Sequence, residues 1–242
     1  MKSVTVRDLL AAEAGWAAEL MSQRREIYAG YSPVFWRPAR NVTGLHADYL
    51  RRQIGSENFV SLRTDHGFLM AHSRPGKAFV DDFAIDRAGS WAADGASLLL
   101  AAAGRLAATP GREQSMLVVT AHADEAKVSM LLDLSLSLVE QWWVVPVTPA
   151  GEPGSPGRVE GPGFAGFLGP APPVYDPGGL VLDADRAADD ADPAVIEARA
   201  AELGAVLAVL RTPPGAQRIA SLQVRGWTIA SDWYFGWPSE NR

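Results

Sequence analysis

A chain of 242 residues, 48% apolar and 21% charged, is long enough to bury one large core or two small ones. Twenty-two basic residues against twenty-eight acidic ones leave a net charge of −6, which argues against broad, sequence-blind binding to nucleic acid or to an anionic membrane. With no cysteine, disulfides, thiolate catalysis and cysteine-ligated zinc or iron–sulfur sites are excluded.

The first residues lack the continuous apolar stretch of a signal peptide, and Gly104 and Arg105 interrupt the richest apolar run, so a soluble cytoplasmic protein without a membrane span is expected. Val4 to Arg7 reads as a short strand. Asp8 is then a natural cap for an alanine-rich helix whose apolar positions recur at helical spacing to Tyr28. The prolines of Tyr31 to Pro38 forbid a helix there, and Phe35 and Trp36 either pack as a lid or line a pocket. Leu45 to Ile54 is helical again and stops at Gly55. Phe59 to Arg63 and Gly67 to His72 form a hairpin around Thr64 to Gly67, and Phe79 to Ile85 is the next strand.

Phe79 to Leu100 reads as strand, glycine-bearing turn and apolar helix, a junction that suits a phosphorylated cofactor because a helix N-terminus offers backbone N–H groups and positive dipole. The bland alternative is that Gly95 lets a buried helix start close to its strand. The helix continues from Leu98 to Leu106 and ends at Pro110 and Gly111. A strand over Met116 to Thr120, a helix over Asp124 to Leu134 and a strand over Leu136 to Val145 follow.

This order of elements over residues 4–146 resembles the GNAT acyltransferase superfamily, an α/β fold on a mixed sheet. The resemblance implies that an acyl-CoA lies in a gap between the strands Phe79 to Ile85 and Met116 to Thr120. Its pyrophosphate would rest on the turn Ala92, Ala93, Asp94, Gly95, Ala96 and Ser97, with Phe83, Ala84, Ile85 and Asp124 beside it. Gly95 matches the family's turn. Ala92 stands where the family usually carries Gln or Arg, Ser97 where it has Gly or Ala, and Asp94 adds a negative charge that lowers CoA affinity.

Residues 147–179 are rich in Pro and Gly and read as a connection, with a short strand at Phe164 to Leu168. A strand begins at Leu180, and Asp192 with Pro193 opens a helix to Leu203. Beyond it the chain repeats itself at a spacing of 91 residues. Met116, Lys127, Leu131, Leu138 and Trp142 line up with Leu207, Arg218, Leu222, Ile229 and Trp233. Residues 180–242 therefore resemble a partial, degenerate GNAT-like unit behind a complete one at residues 1–146. It is expected to cover a sheet edge or wall the substrate site, and an exposed edge could instead pair two chains as a homodimer.

The resemblance also implies the chemistry: a backbone N–H near Asp82 to Ala84 for the oxyanion, and a base for the amine. Asp81 and Asp82 should point to opposite faces of their strand, with Asp82 the marginal choice of base and a backbone-bonding role its alternative. The family's tyrosine acid falls on Leu131, which cannot donate, so either Ser129, His122 or water donates or the thiolate leaves unassisted. Phe35, Trp36, Trp142 and Trp143 are candidates for the acceptor pocket, although tryptophan packing explains them as readily. The four histidines have no ligand spacing, so no metal is expected. The expected activity is N-acyl transfer from acetyl-CoA or another acyl-CoA to a small amine by direct attack. Two alternatives are an aminoacyl-tRNA-dependent transferase, supported by Arg24–Arg25 and Arg51–Arg52, and a pseudoenzyme that binds a metabolite or partner.

Overall fold

A computed structural model describes residues 4–74, 77–108 and 115–239. The chain packs as two compact units, one from Met1–Ile27, Asn41–Leu138 and Trp233–Arg242, the other from Tyr28–Arg40 and Val139–Asp232.

In the first unit, β1 (Arg7–Asp8), β2 (Phe59–Arg63), β3 (Gly67–Arg74) and β4 (Lys77–Ile85) pair in sequence order, all antiparallel. β5 (Met116–Ala121) then joins β4 in parallel. Side-chain alternation along β3 gives this sheet two apolar faces. Leu69 and Ala71 pack with α3 (Ala96–Ala107) and α4 (Glu125–Asp133), while Phe68 and Met70 pack with α1 (Ala14–Tyr31) and α2 (Val42–Gln53). Asp8 lies in β1 and pairs with Arg105, so it does not cap the first helix as expected. The chain turns helical at Ala11, where the Glu13 carboxylate accepts the Leu10 N–H at 3.0 Å and meets the Arg7 and Arg63 guanidiniums at 2.8 and 2.9 Å. Pro110 and Gly111, read as a helix stop, lie outside the described residues.

In the second unit, β6 (Ser137–Pro146) runs antiparallel to β10 (Ala205–Thr212), which is parallel to β9 (Leu180–Ala187). Residues 147–179, read as a connection, carry β7 (Gly157–Gly161) and β8 (Phe164–Pro170), a hairpin that extends this sheet beyond β9. Gly163 at φ +75 makes its turn. Helix α5 (Pro193–Glu202) is capped by Asp192, which accepts the Ala194 N–H at 2.9 Å, as the Asp-Pro pair predicts. Ile196 and Ala200 bury its apolar stripe with Leu182, Ala208 and Leu210. Helix α6 (Ile219–Val224) and β11 (Thr228–Gly236) complete the chain, which passes between the units within α1, between Arg40 and Asn41, and within β6 and β11. Gln141 and Asp232, equivalent positions at the 91-residue spacing, are hydrogen-bonded to each other at 3.0 Å. Among the described residues no helix is long and apolar enough to cross a membrane.

Candidate active site

The parallel pairing of β4 with β5 covers only Ala78 with Met116, Phe79 with Leu117 and Val80 with Val118. Both strands continue, β4 to Ile85 and β5 to Ala121, but their ladder has ended, so the first unit holds a gap that opens toward the carboxyl ends of two parallel strands. The cause lies on the other side of β4. Leu69 pairs with Phe83 and Ala71 with Val80, so Met70 alone opposes both Asp81 and Asp82. This is a β-bulge, which bends the strand and re-aims side chains.

Asp81 and Asp82, expected on opposite faces of a regular strand, share this bulge, where regular alternation is interrupted. Both carboxylates interact with the same three side chains, Arg25, His46 and Lys127. Asp82 is committed: Nε2 of His46 donates to its Oδ1 at 2.8 Å, and Arg25, which can only donate, meets the other ring nitrogen at 3.4 Å. Burial, the largest single effect, works to raise the Asp82 carboxyl, but His46, Arg25 and Lys127 together hold it below its ordinary value. Solvent reaches Asp81, whose carboxyl is pushed up to about 6 by the protein crowded around it and then by the Asp82 charge. Tyr49 stacks on His46 with ring centroids 6.0 Å apart, and its hydroxyl is raised by burial and by the two carboxylates.

Lys127, on α4, is 1% exposed and donates from Nζ to the Val119 carbonyl at 2.8 Å; its ammonium lies 5.2 Å from the Phe83 ring centre and 5.4 Å from that of Trp91. Arg24 is also buried. It donates to the Ile85 carbonyl at 2.8 Å and reaches Asp124, just before α4, at 3.4 Å. Of the strand residues expected beside the cofactor, Phe83, Ala84 and Ile85 are all buried in the core.

The segment Ala92 to Ser97 is helical. A short helical turn at Ala88–Ser90 leads into a wider one at Trp91–Gly95, and α3 follows from Ala96. The Ala96 N–H is engaged by the Ala93 and Trp91 carbonyls, and Asp94 is buried. A Cβ built on Gly95 would come within 2.7 Å of Cε3 of Trp91, a fully buried indole packed edge-on against Phe83 at 4.9 Å. Gly95 therefore makes room for Trp91. His122 is exposed in the turn between β5 and α4, and Leu131 is buried in the core.

The aromatic candidates lie in the second unit. Trp36 is buried and donates its indole N–H to the Ala230 carbonyl at 2.9 Å, which makes it a packing residue. Phe35 is half-buried and meets Trp36 and Trp142 edge-on, at 4.7 and 6.2 Å. Trp142 is half-buried under the Arg211 guanidinium, whereas Trp143 points into the core, the alternation expected of a strand.

The fold brings to the site Arg24 and Arg25, read from sequence only as a basic pair for tRNA, and His46, Tyr49 and Lys127, which carry no site reading in the sequence. Helical spacing holds a signal for four of them. Arg24 and Arg25 stand on the stripe of Met21 and Tyr28, His46 on that of Val42 and Leu50, and Lys127 on that of Met130, Leu131 and Leu134. A charged or ionisable side chain on an apolar stripe is buried and needs a partner. Among the described residues no group of three or more His, Asp or Glu is placed to hold a metal ion.

No protein-family model and no curated protein matches the sequence. Solved structures do. A candidate acetyltransferase of Thermoplasma acidophilum superposes with a TM-score of 0.56 at 9% identity, over 96% of this chain and 98% of its own. A GCN5-related N-acetyltransferase of Sphaerobacter thermophilus gives 0.56 at 11% identity, over 97% and 95%. A candidate acetyltransferase of Pyrococcus horikoshii gives 0.54 at 10% identity, over 99% and 91%. The chain has the GNAT fold.

Proposed function

We propose that this chain is an N-acyltransferase that transfers an acyl group, acetyl in the simplest case, from acyl-CoA to a small amine by direct attack. The observation that carries this reading is the parting of β4 from β5 at a bulge that bears Asp81. Where the ladder stops, β4 can accept the amide-bearing arm of CoA as a substitute strand, which places the thioester beside the bulge. A backbone N–H among Asp82 to Ala84 then meets the oxyanion as it forms. Asp81, open to solvent and held near 6, is ionised at neutral pH yet basic enough to take the amine proton as the C–N bond forms. Asp82 fixes His46 and keeps the negative charge that tunes its neighbour, so the base assignment moves from Asp82 to Asp81.

The test is to incubate the protein with acetyl-CoA and a pool of small primary amines and to read acetylated products by mass spectrometry. Product should form, its rate should rise through about pH 6 as Asp81 ionises, and Asp81→Asn should lower the rate by about 10²- to 10⁴-fold. No product from any amine, or an Asp81→Asn variant as fast as the parent, overturns the reading. One observation favours the pseudoenzyme alternative: Trp91 and Lys127, both fully buried, border the gap from within the protein. The tRNA alternative keeps one of its two supports, since Arg51 and Arg52 are exposed while Arg24 and Arg25 are buried.

A further inference from the structure

We infer that Lys127, in the place of the tyrosine the fold ordinarily supplies, is the acid that protonates the thiolate as it leaves; this rests on the acyltransferase reading above. The location follows from strand parity. The Ser115 carbonyl accepts the Ala78 N–H, so along β5 the polar groups of residues 115, 117 and 119 face β4. In an unbroken parallel ladder the Val119 carbonyl would accept the N–H two residues past Val80, that of Asp82. The bulge removes that donor, and the Lys127 ammonium takes the acceptor at 2.8 Å. Its Nζ therefore stands inside the parting of the two strands, at the level of the bulge, where the reading above puts the thioester.

Lys127 is one helical turn before Leu131, on the same face of α4, so its long side chain reaches from a neighbouring rung to the place a tyrosine at 131 would serve. Among the described residues Val119 is the one hydrogen-bond acceptor recorded for its three N–H donors. The groups that face it are Asp124 of the α4 cap, Arg24 of α1, and Asp81 and Asp82 of β4; Arg25 of α1 and His46 of α2 face the two carboxylates. Burial, the largest effect, brings the ammonium down to about 8, close to the ordinary range of a thiol near ~8.5, so a proton can pass to sulfur without a large uphill step.

The step balances. The amine nitrogen bonds to the thioester carbon and loses a proton to Asp81. The C–S bond breaks with its electron pair on sulfur, which takes a proton from Lys127. The proton on Asp81 then returns to the neutral Lys127 amine, directly or through water, leaving amide, thiol and the starting protonation states.

The experiment needs no acceptor. CoA is added to the protein at neutral pH and its thiolate read by ultraviolet absorbance, with acetyl-CoA affinity measured in parallel. The parent should raise the ionised fraction of bound CoA on the order of tenfold over free CoA. Lys127→Met should lose that rise while binding acetyl-CoA as the parent does, and Lys127→Arg should keep it. In the unsubstituted protein, the Lys127 ¹³Cε resonance should titrate higher with CoA bound than with acetyl-CoA bound, which decides the matter even if Lys127→Met fails to fold. A Lys127→Met variant that ionises CoA like the parent, or a Lys127 titration indifferent to the thiol, overturns the inference and leaves the acyltransferase reading standing. If the parent binds neither CoA nor acetyl-CoA, both fall.

Discussion

A lysine ammonium enclosed by protein is less stable than one in water, and the folded state relieves the penalty by releasing the proton sooner. Lys127 titrates near 8 in the folded chain against 10.5 unfolded, so between those values the unfolded state binds more protons and stability rises with pH. Urea denaturation should show a gain of about 2 kcal/mol between about pH 8 and pH 9.5, absent in Lys127→Met. The gain tapers as the unfolded lysine titrates near 10.5, and the raised Tyr49 hydroxyl opposes it from about pH 10. A flat profile would mean that water reaches the ammonium. At this scale the sequence was only half legible. The two aspartates were visible as a pair, but a bulge is set by pairing with a partner strand, and nothing local in Val80 to Phe83 announces that Met70 will face two residues at once. Lys127, by contrast, was legible as a charge on the stripe of Met130 and Leu131.

Among elements, the junction between β4 and α3 departs most from its sequence reading. The lone Gly95 suggested a phosphate turn or a helix starting close to its strand; in the fold its missing Cβ is occupied by the edge of Trp91, a packing reason that neither reading named. Gly95→Ala should destabilise the protein by about 1–3 kcal/mol in chemical denaturation, through overpacking against an indole that cannot swing to solvent. A variant as stable as the parent would show that Trp91 has room to move. Most other elements were read within a few residues because hydrophobic period and turn glycines are local signals. The first helix was misplaced for an equally physical reason. Asp8 and Glu13 both suit a helix start, and the choice between them is made by Arg7 and Arg63, which gather on Glu13 from β1 and β2.

Over the whole chain, strand, helix and strand recur at 91 residues without a gap, and the sequence already reads the second copy as partial and degenerate; how its strands pair is not legible there. β9 has its own bulge, with Gly166 of β8 opposite Ala184 and Asp185, but pairing with β10 runs on into it, to Ala184 with Leu210. The parting that remains past it is short. Arg218, at the place of Lys127, donates to the Ala187 carbonyl at 3.2 Å, and the turn before α5 carries Asp189, Asp190 and Asp192, charges that repel a pyrophosphate. Under the proposed acyltransferase reading, one acyl-CoA binds where β4 and β5 part, and none binds the second copy. Isothermal titration with acetyl-CoA tests this most directly: the account predicts saturable binding at one molecule per chain, whereas no binding at millimolar ligand, or two molecules per chain, would contradict it.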